Sequence, residues 1–443
     1  MPRLFFLFAL FCLFVCPPAG VFSQDLSLDE AVSLALENSE DIQKMRLDIE
    51  KMERVTEEAR ASRWFTVDAA FRYELDHLDK KNISVVNNPV NSTGDLIQRP
   101  YEMDVDVYTA EASVTVLQPV FTFGKISESI KAAKYALEAS GHQEKAAERG
   151  MRYAARLLYY SALLSDEMLG IAQKSYKNAL KSKKYLQNAA VSRPVKSDLI
   201  RVSADVALRK PGVDKARHAK NESYRALKIL CDIPEDEVIS LSDSLDDDFP
   251  RFSTDELGDT LEDHPELAAL DFAGKMHQSR AHAKKAERYP EIIAFGGYVK
   301  DFESKKQDLD DYYGKEVTYV GLQINIPIWD HGKADARARQ EKIESKKINL
   351  DILKKRKELR QKLNNAVEKH GAYRGVYKNQ KLALTLSKKS YQTSLSRFEN
   401  GQTSATELND AETGLTMARR GLALALFELN ALKAEILKLT GGL

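Results

Sequence analysis

The 443-residue sequence predicts an α+β fold dominated by long antiparallel α-helices, with four β-strands and an internal two-fold repeat. Three observations carry this reading. A Pro-to-Gly-Lys segment occurs twice, two-residue apolar alternation precedes each copy, and a long proline-free helical stretch follows each.

The repeat sets the organisation. Gln118-Pro119-Val120-Phe121-Thr122-Phe123-Gly124-Lys125 matches Ile326-Pro327-Ile328-Trp329-Asp330-His331-Gly332-Lys333, 208 positions later. Downstream, Val191-Ser192-Arg193 and Asp198 fall against Asn400-Gly401-Gln402 and Glu407, 209 positions later. A near-constant offset over that distance requires matched helix lengths, since free lengthening of either helix would make it drift. The chain therefore divides into residues 1–23, a first repeat at 24–231, a connector at 232–263 and a second repeat at 264–443.

Residues 1–23 read as an export signal. Arg3 is the positive end, Leu4 to Val15 is almost wholly apolar, and Val21-Phe22-Ser23 suits cleavage after Ser23. Lipid attachment at Cys16 is the alternative, although Val15 is bulky where such sites take a small residue. Removal of the segment leaves Cys231 as the remaining thiol, which excludes an internal disulfide.

Each repeat begins with a helix, from Leu28 to about Arg63 and from His264 to about Arg288. Strands follow. Phe65, Val67, Ala69, Phe71, Tyr73 and Leu75 interleave with Thr66, Asp68, Ala70, Arg72, Glu74 and Asp76; Val114 and Val116 alternate with Ser113 and Thr115. Val320, Leu322, Ile324 and Ile326 alternate with polar or small neighbours, and Ile293, Phe295 and Val299 mark the fourth strand. Segments of about 9–11 residues suit a tilted membrane-spanning strand or a soluble sheet with one wet face. The polar stretch from His77 to about Met103 reads as a long loop.

From Lys125 to about Asn188, and from Lys333 to about Glu399, proline is absent and Ala, Leu, Lys, Glu and Gln dominate. Each long helix reverses through a compact turn, Val191 to Pro194 or Asn400 to Thr403. Return helices then cover about Val195 to Leu230, with a kink expected at Pro211-Gly212, and Ser404 to Leu439. Leu408, Leu415, Ala418, Leu422, Ala425 and Leu429 recur at helical spacing with small residues among them, as in a coiled-coil wall. The connector carries Asp246-Asp247-Asp248 and Pro250, and its acidic run reads as a solvated loop.

Equal counts of 66 basic and 66 acidic residues give no whole-protein field to gather nucleic acid. The 8 histidines are scattered without a zinc-protease, phosphate-loop or nucleophile-elbow motif, so no catalytic residue, metal site or cofactor is assigned. Asp76-His77-Leu78-Asp79 reads as a solvated turn rather than a metal site.

These features resemble the TolC-like outer membrane factors, the bacterial outer-membrane efflux and secretion ducts. The resemblance rests on Phe398-Glu399-Asn400-Gly401 through Glu407-Leu408-Asn409-Asp410-Ala411 to Ala418, on His264-Pro265-Glu266-Leu267 with Tyr289-Pro290, and on the two Pro-to-Gly-Lys strand exits. It implies a homotrimer in which each protomer gives four strands to a 12-stranded transmembrane β-barrel in outer-membrane lipid. Its helical hairpins join a trimeric α-barrel extending into the periplasm. Partners implied are a periplasmic adaptor (membrane fusion) protein and an inner-membrane transporter, in efflux or type I secretion. Trp64 and Trp329 then belong to an interfacial aromatic belt or to packing at the periplasmic strand ends.

The resemblance also implies a pore gate at Glu407 and Asp410, three positions apart on one helix face, the alternative being a solvated face whose acids complement the helix dipole. Val191, Ser192, Arg193, Asp198, Asn400 and Gly401 are the implied adaptor-contacting tip residues. Arg201 stands where Asp410 stands in the second half, which makes an Arg201-to-acid contact conceivable. The rival class is a periplasmic coiled-coil scaffold without a pore; four alternating strands speak against it.

Overall fold

A computed structural model describes residues 24–90, 96–189, 196–245, 247–304 and 313–442. The chain forms two compact units, Met1–Leu47 with His142–Ala268 and Leu353–Leu443, and Asp48–Gly141 with Ala269–Ile352. Each draws on both halves of the sequence. The expected signal segment lies outside the described residues.

The second unit holds one antiparallel sheet. Strands β2 (Thr66–Val90), β3 (Leu96–Phe121), β5 (Glu291–Ser304) and β6 (Tyr313–Asn325) pair in the order β2-β3-β5-β6. Their register confirms one apolar face: Val67, Phe71 and Tyr73 on β2, Val114 and Val116 on β3, and Val320, Leu322 and Ile324 on β6 lie on the same side. Val320 is 90% exposed and Leu322 70%, so this greasy face is open in the single chain. β5 forms where Ile293, Phe295 and Val299 marked it. These three share the polar face, and Ile292, Ala294 and Tyr298 lie on the apolar one. Gly296 and Gly297 remove the apolar-polar contrast from which alternation assigns a face.

The strands are also longer than expected. β2 and β3 have 25 and 26 residues, against 14 and 13 for β5 and β6. The expected loop from His77 is paired backbone, with Leu78 opposite Val105, Ser84 opposite Pro100 and Val90 opposite Leu96. Its polar composition concealed a ladder whose hydrogen bonds are made by the main chain whatever the side chains are.

Both strand exits turn through two successive left-handed residues, Phe123 (φ 46°) and Gly124 (φ 90°), then His331 (φ 55°) and Gly332 (φ 76°). Glycine at the second place removes the Cβ that disfavours this conformation. After the second turn, the Asp330 carboxylate accepts the Gly332 and Ala334 amides at 2.9 Å each, capping the helix that follows.

The first unit contains most of the helical packing. Helices α1 (Leu28–Asn38) and α2 (Glu40–Ala61) replace the single helix expected to Arg63, because Ser39 is extended (φ −64°, ψ 114°). Ser27 and Glu30 form a reciprocal capping box at the α1 start. The long pair α3 (Lys125–Ala189) and α4 (Lys196–Cys231), and the pair α7 (Lys333–Glu399) and α8 (Ala405–Thr440), match the predicted hairpins. α4 continues as helix through Pro211, where a kink was expected.

Asp247 and Asp248 in the connector are exposed and irregular, and elements flank them. The connector's β4 (Ile239–Leu241) pairs in parallel with β1 (Gln24–Leu26), and α5 (Thr254–Gly258) and a short 3-10 turn (Asp259–Leu261) precede α6 (Pro265–Ala286). Leu26, Ala31, Tyr159, Ala162, Leu227, Cys231, Ile239 and Ala434 form one buried cluster, so chain start, connector and both return helices share a core. The Tyr159 hydroxyl donates to the Leu26 carbonyl at 2.9 Å and lies 3.0 Å from the Asp243 carboxylate. Farther along the connector, Phe249 and Phe252 meet the ring of His370 on α7 edge-on, at centroid distances of 6.3 and 4.9 Å.

Candidate functional site

Of the predicted site residues, Glu407, Asp410, Asn400 and Gly401 lie at the turn between α7 and α8 and on the first turns of α8. Gly401 is left-handed (φ 70°), and the Gly401 and Gln402 amides bond back to the Phe398 and Arg397 carbonyls at 2.9 and 2.8 Å. This closes the α7 end with a glycine C-cap motif. Ser404 caps the next helix, its hydroxyl accepting the Glu407 amide at 3.3 Å. Beneath the turn, Leu186, Val202, Phe398, Ala405 and Leu408 form a buried cluster that seats one hairpin end on the other.

The Glu407 carboxylate accepts Arg397 Nη1 at 3.2 Å and the Thr403 hydroxyl, with its side chain half exposed. Asp410 is exposed on the next turn of α8, and Asn400 and Gly401 are exposed at the tip. Asp198 is half-buried in the first turn of α4. Val191, Ser192 and Arg193 lie outside the described residues. Among the described residues Arg201 pairs with no acid; its guanidinium donates to the Thr406 hydroxyl. The Tyr185 hydroxyl donates to the Glu399 carbonyl. Both bonds tie the α3–α4 hairpin to the α7–α8 turn.

One cluster escaped the sequence reading. Arg209 on α4 donates to Asp205 (2.7 Å), Ser175, Asn409 and Glu412. The second oxygen of Glu412 accepts the Thr416 hydroxyl at 3.0 Å. The Arg209 and Glu412 side chains are 14% and 5% exposed, so this is a buried ion pair with most of its valences filled. A signal existed: Glu412 stands between Leu408 and Leu415 at the spacing of the apolar stripe, where a charge is unexpected.

Among the described residues no group of three or more His, Cys, Asp or Glu side chains is arranged to hold a metal ion, and no helix is long and apolar enough to cross a membrane.

The sheet with one open apolar face and the paired long hairpins define the fold class of the outer-membrane channel proteins. Residues 257–442 match the outer membrane efflux protein family. The fold is similar to that of the Campylobacter jejuni CmeC outer membrane channel, at TM-score 0.76 and 17% identity over 94% of this chain and 85% of that one. The open-state Neisseria gonorrhoeae MtrE outer membrane channel aligns at TM-score 0.75 and 19% identity, over 94% and 88%. CusC, described in connection with transmembrane channel formation, aligns at TM-score 0.75 and 14% identity, over 95% and 93%. No curated protein matches the chain in sequence.

Proposed function

We propose that three copies of this chain form a passive conduit across the outer membrane and periplasm, serving a tripartite efflux or type I secretion system. The observation that carries this reading is the sheet: four strands with an exposed apolar face and partners on only one side of β2 and β6. In lipid an open edge leaves main-chain groups without hydrogen bonds, and four strands are too few to close on themselves. Three copies joined edge to edge give a closed barrel of twelve strands. The matching left-handed turns at Gly124 and Gly332 support descent of both halves from one repeated unit, with 24–231 and 264–443 as the repeats.

Threefold assembly stacks Glu407 and Asp410 into two carboxylate rings that favour cations at the periplasmic constriction. Asp198, Asn400, Gly401 and the segment at Val191, Ser192 and Arg193 form the tip that meets a periplasmic adaptor, while an inner-membrane transporter supplies the energy. The reading is tested by fractionation and gel mobility. An outer-membrane protein that needs detergent for extraction and migrates differently when unheated supports it; a detergent-free periplasmic coiled coil replaces it with the scaffold reading.

A further inference from the structure

The polar face of the sheet carries a row of charge. Arg72 pairs with Glu111, Glu111 with Asp301, and Asp301 with Lys315, so one ionisable residue from each strand stands in a single transverse row. Side-chain alternation puts all four on the face opposite Val67, Phe71, Val320 and Leu322. At the same level the apolar face carries its own charged pair, Lys300 to Glu316 at 2.8 Å. Toward the helices from that level the apolar face holds Val114, Tyr298, Val320 and Leu322. Charge thus crosses both faces of the sheet at one level, while the apolar face continues outward through Tyr73, Ala110 and Phe302.

Around Gly297 and Gly321 the polar face lies low, while Glu74 adds an acid one row outward from Arg72. A Cβ at Gly297 would come within 2.5 Å of Tyr319 Oη, and one at Gly321 within 2.7 Å of Phe295 Cζ. Both rings thus lie across the sheet over a glycine instead of standing off it. The row next to the charges is Ala70, Ser113, Val299 and Val317, all short. The long side chains of Arg72, Glu111 and Lys315 stand above this background.

We propose that Arg72, Glu111, Asp301 and Lys315 form a pore-facing charged girdle that selects charged and zwitterionic solutes over neutral apolar ones. The inference rests on the trimeric-barrel reading. Within one copy the order is base, acid, acid, base, and closure through the β2 and β6 edges brings the basic ends of adjacent copies together. Three acidic and three basic sectors then alternate around the lumen, and rings of fixed charge at close quarters govern what passes.

The test is reversal potential under a KCl gradient for trimers in planar bilayers, in a Glu407→Ala/Asp410→Ala background so that the tip does not dominate. Glu111→Gln/Asp301→Asn moves selectivity toward chloride and Arg72→Gln/Lys315→Gln toward potassium, each by about twofold or more in permeability ratio. A charged thiol reagent reduces current through Asp301→Cys and leaves Val320→Cys untouched; Cys231 is 1% exposed and contributes no background. Selectivity unmoved by both pairs, or equal labelling of both cysteines, overturns the girdle while leaving the channel. Wild-type trimers without conductance overturn the channel reading and the girdle with it.

Discussion

Arg209 and Glu412, 203 residues apart in sequence, form a buried ion pair that joins α4 to α8. Removing Arg209 leaves Glu412 buried without a counter-ion, a loss of about 3–5 kcal/mol, whereas removing Glu412 leaves the guanidinium paired with Asp205. Arg209→Met therefore lowers the thermal midpoint of the helical circular-dichroism signal more than Glu412→Gln does. Arg209→Met/Glu412→Met recovers much of the Arg209→Met loss, because the more deeply buried acid is gone and Asp205 is 21% exposed. A double variant no better than the worse single would show that Asp205 and Asn409 cannot do without the guanidinium.

His370 predicts acid sensitivity. Burial first, and then the nearby cations Arg374 and Lys433, push its pKa down to about 4. The unfolded chain binds a proton near pH 6.5 while the folded chain does not until about pH 4, so stability is full above pH 6.5 and declines as pH falls through that window. The loss is roughly 3 kcal/mol. Proteolysis of the connector around Phe249 and Phe252 should accelerate between pH 7 and pH 4.5, and His370→Leu should flatten that dependence. An unchanged pH profile in the variant would assign the acid response to other groups.

The two proposed gate acids should contribute unequally. Arg397 lies 3.2 Å from Glu407 and offsets part of its charge, whereas Asp410 is exposed. Asp410→Asn therefore relieves block by multivalent cations more than Glu407→Gln does, and Arg397→Gln strengthens block. Single-channel recordings across a cation series decide this, with equal effects of all three speaking against a gate at this turn.

Gly297 is required by space. Besides the Tyr319 ring, a Cβ there would meet the Val114 carbonyl oxygen at 2.7 Å, an atom fixed in the β3 backbone. Overpacking of this kind costs about 1–3 kcal/mol per chain. Gly297→Val should reduce the heat-modifiable form in the outer membrane, and Tyr319→Ala should not rescue it, since the carbonyl remains. Rescue by Tyr319→Ala would place the constraint in the ring alone.

The long helices and the reversal at Asn400-Gly401 were legible in sequence because proline is absent from the helices and those turn residues are specific. Alternation gave the apolar faces of β2, β3 and β6 and located β5 without assigning its faces, because paired glycines erase the contrast. The outward extent of β2 and β3 was hidden because polar strands and polar loops share a composition. Glu407 and Asp410 were singled out by the family resemblance at their place after the tip turn. The Arg209 cluster was not, because it joins α3, α4 and α8 across about 200 residues and only packing brings them together. Glu412 inside an apolar stripe was the one local clue.

The central claim is that this chain closes a barrel only in company with its own copies. Light scattering of the detergent-extracted native protein, corrected for bound detergent, measures this directly. The account predicts a particle of three chains that loses solubility when detergent is removed. A monomer or dimer soluble without detergent would contradict the shared barrel, and with it the channel.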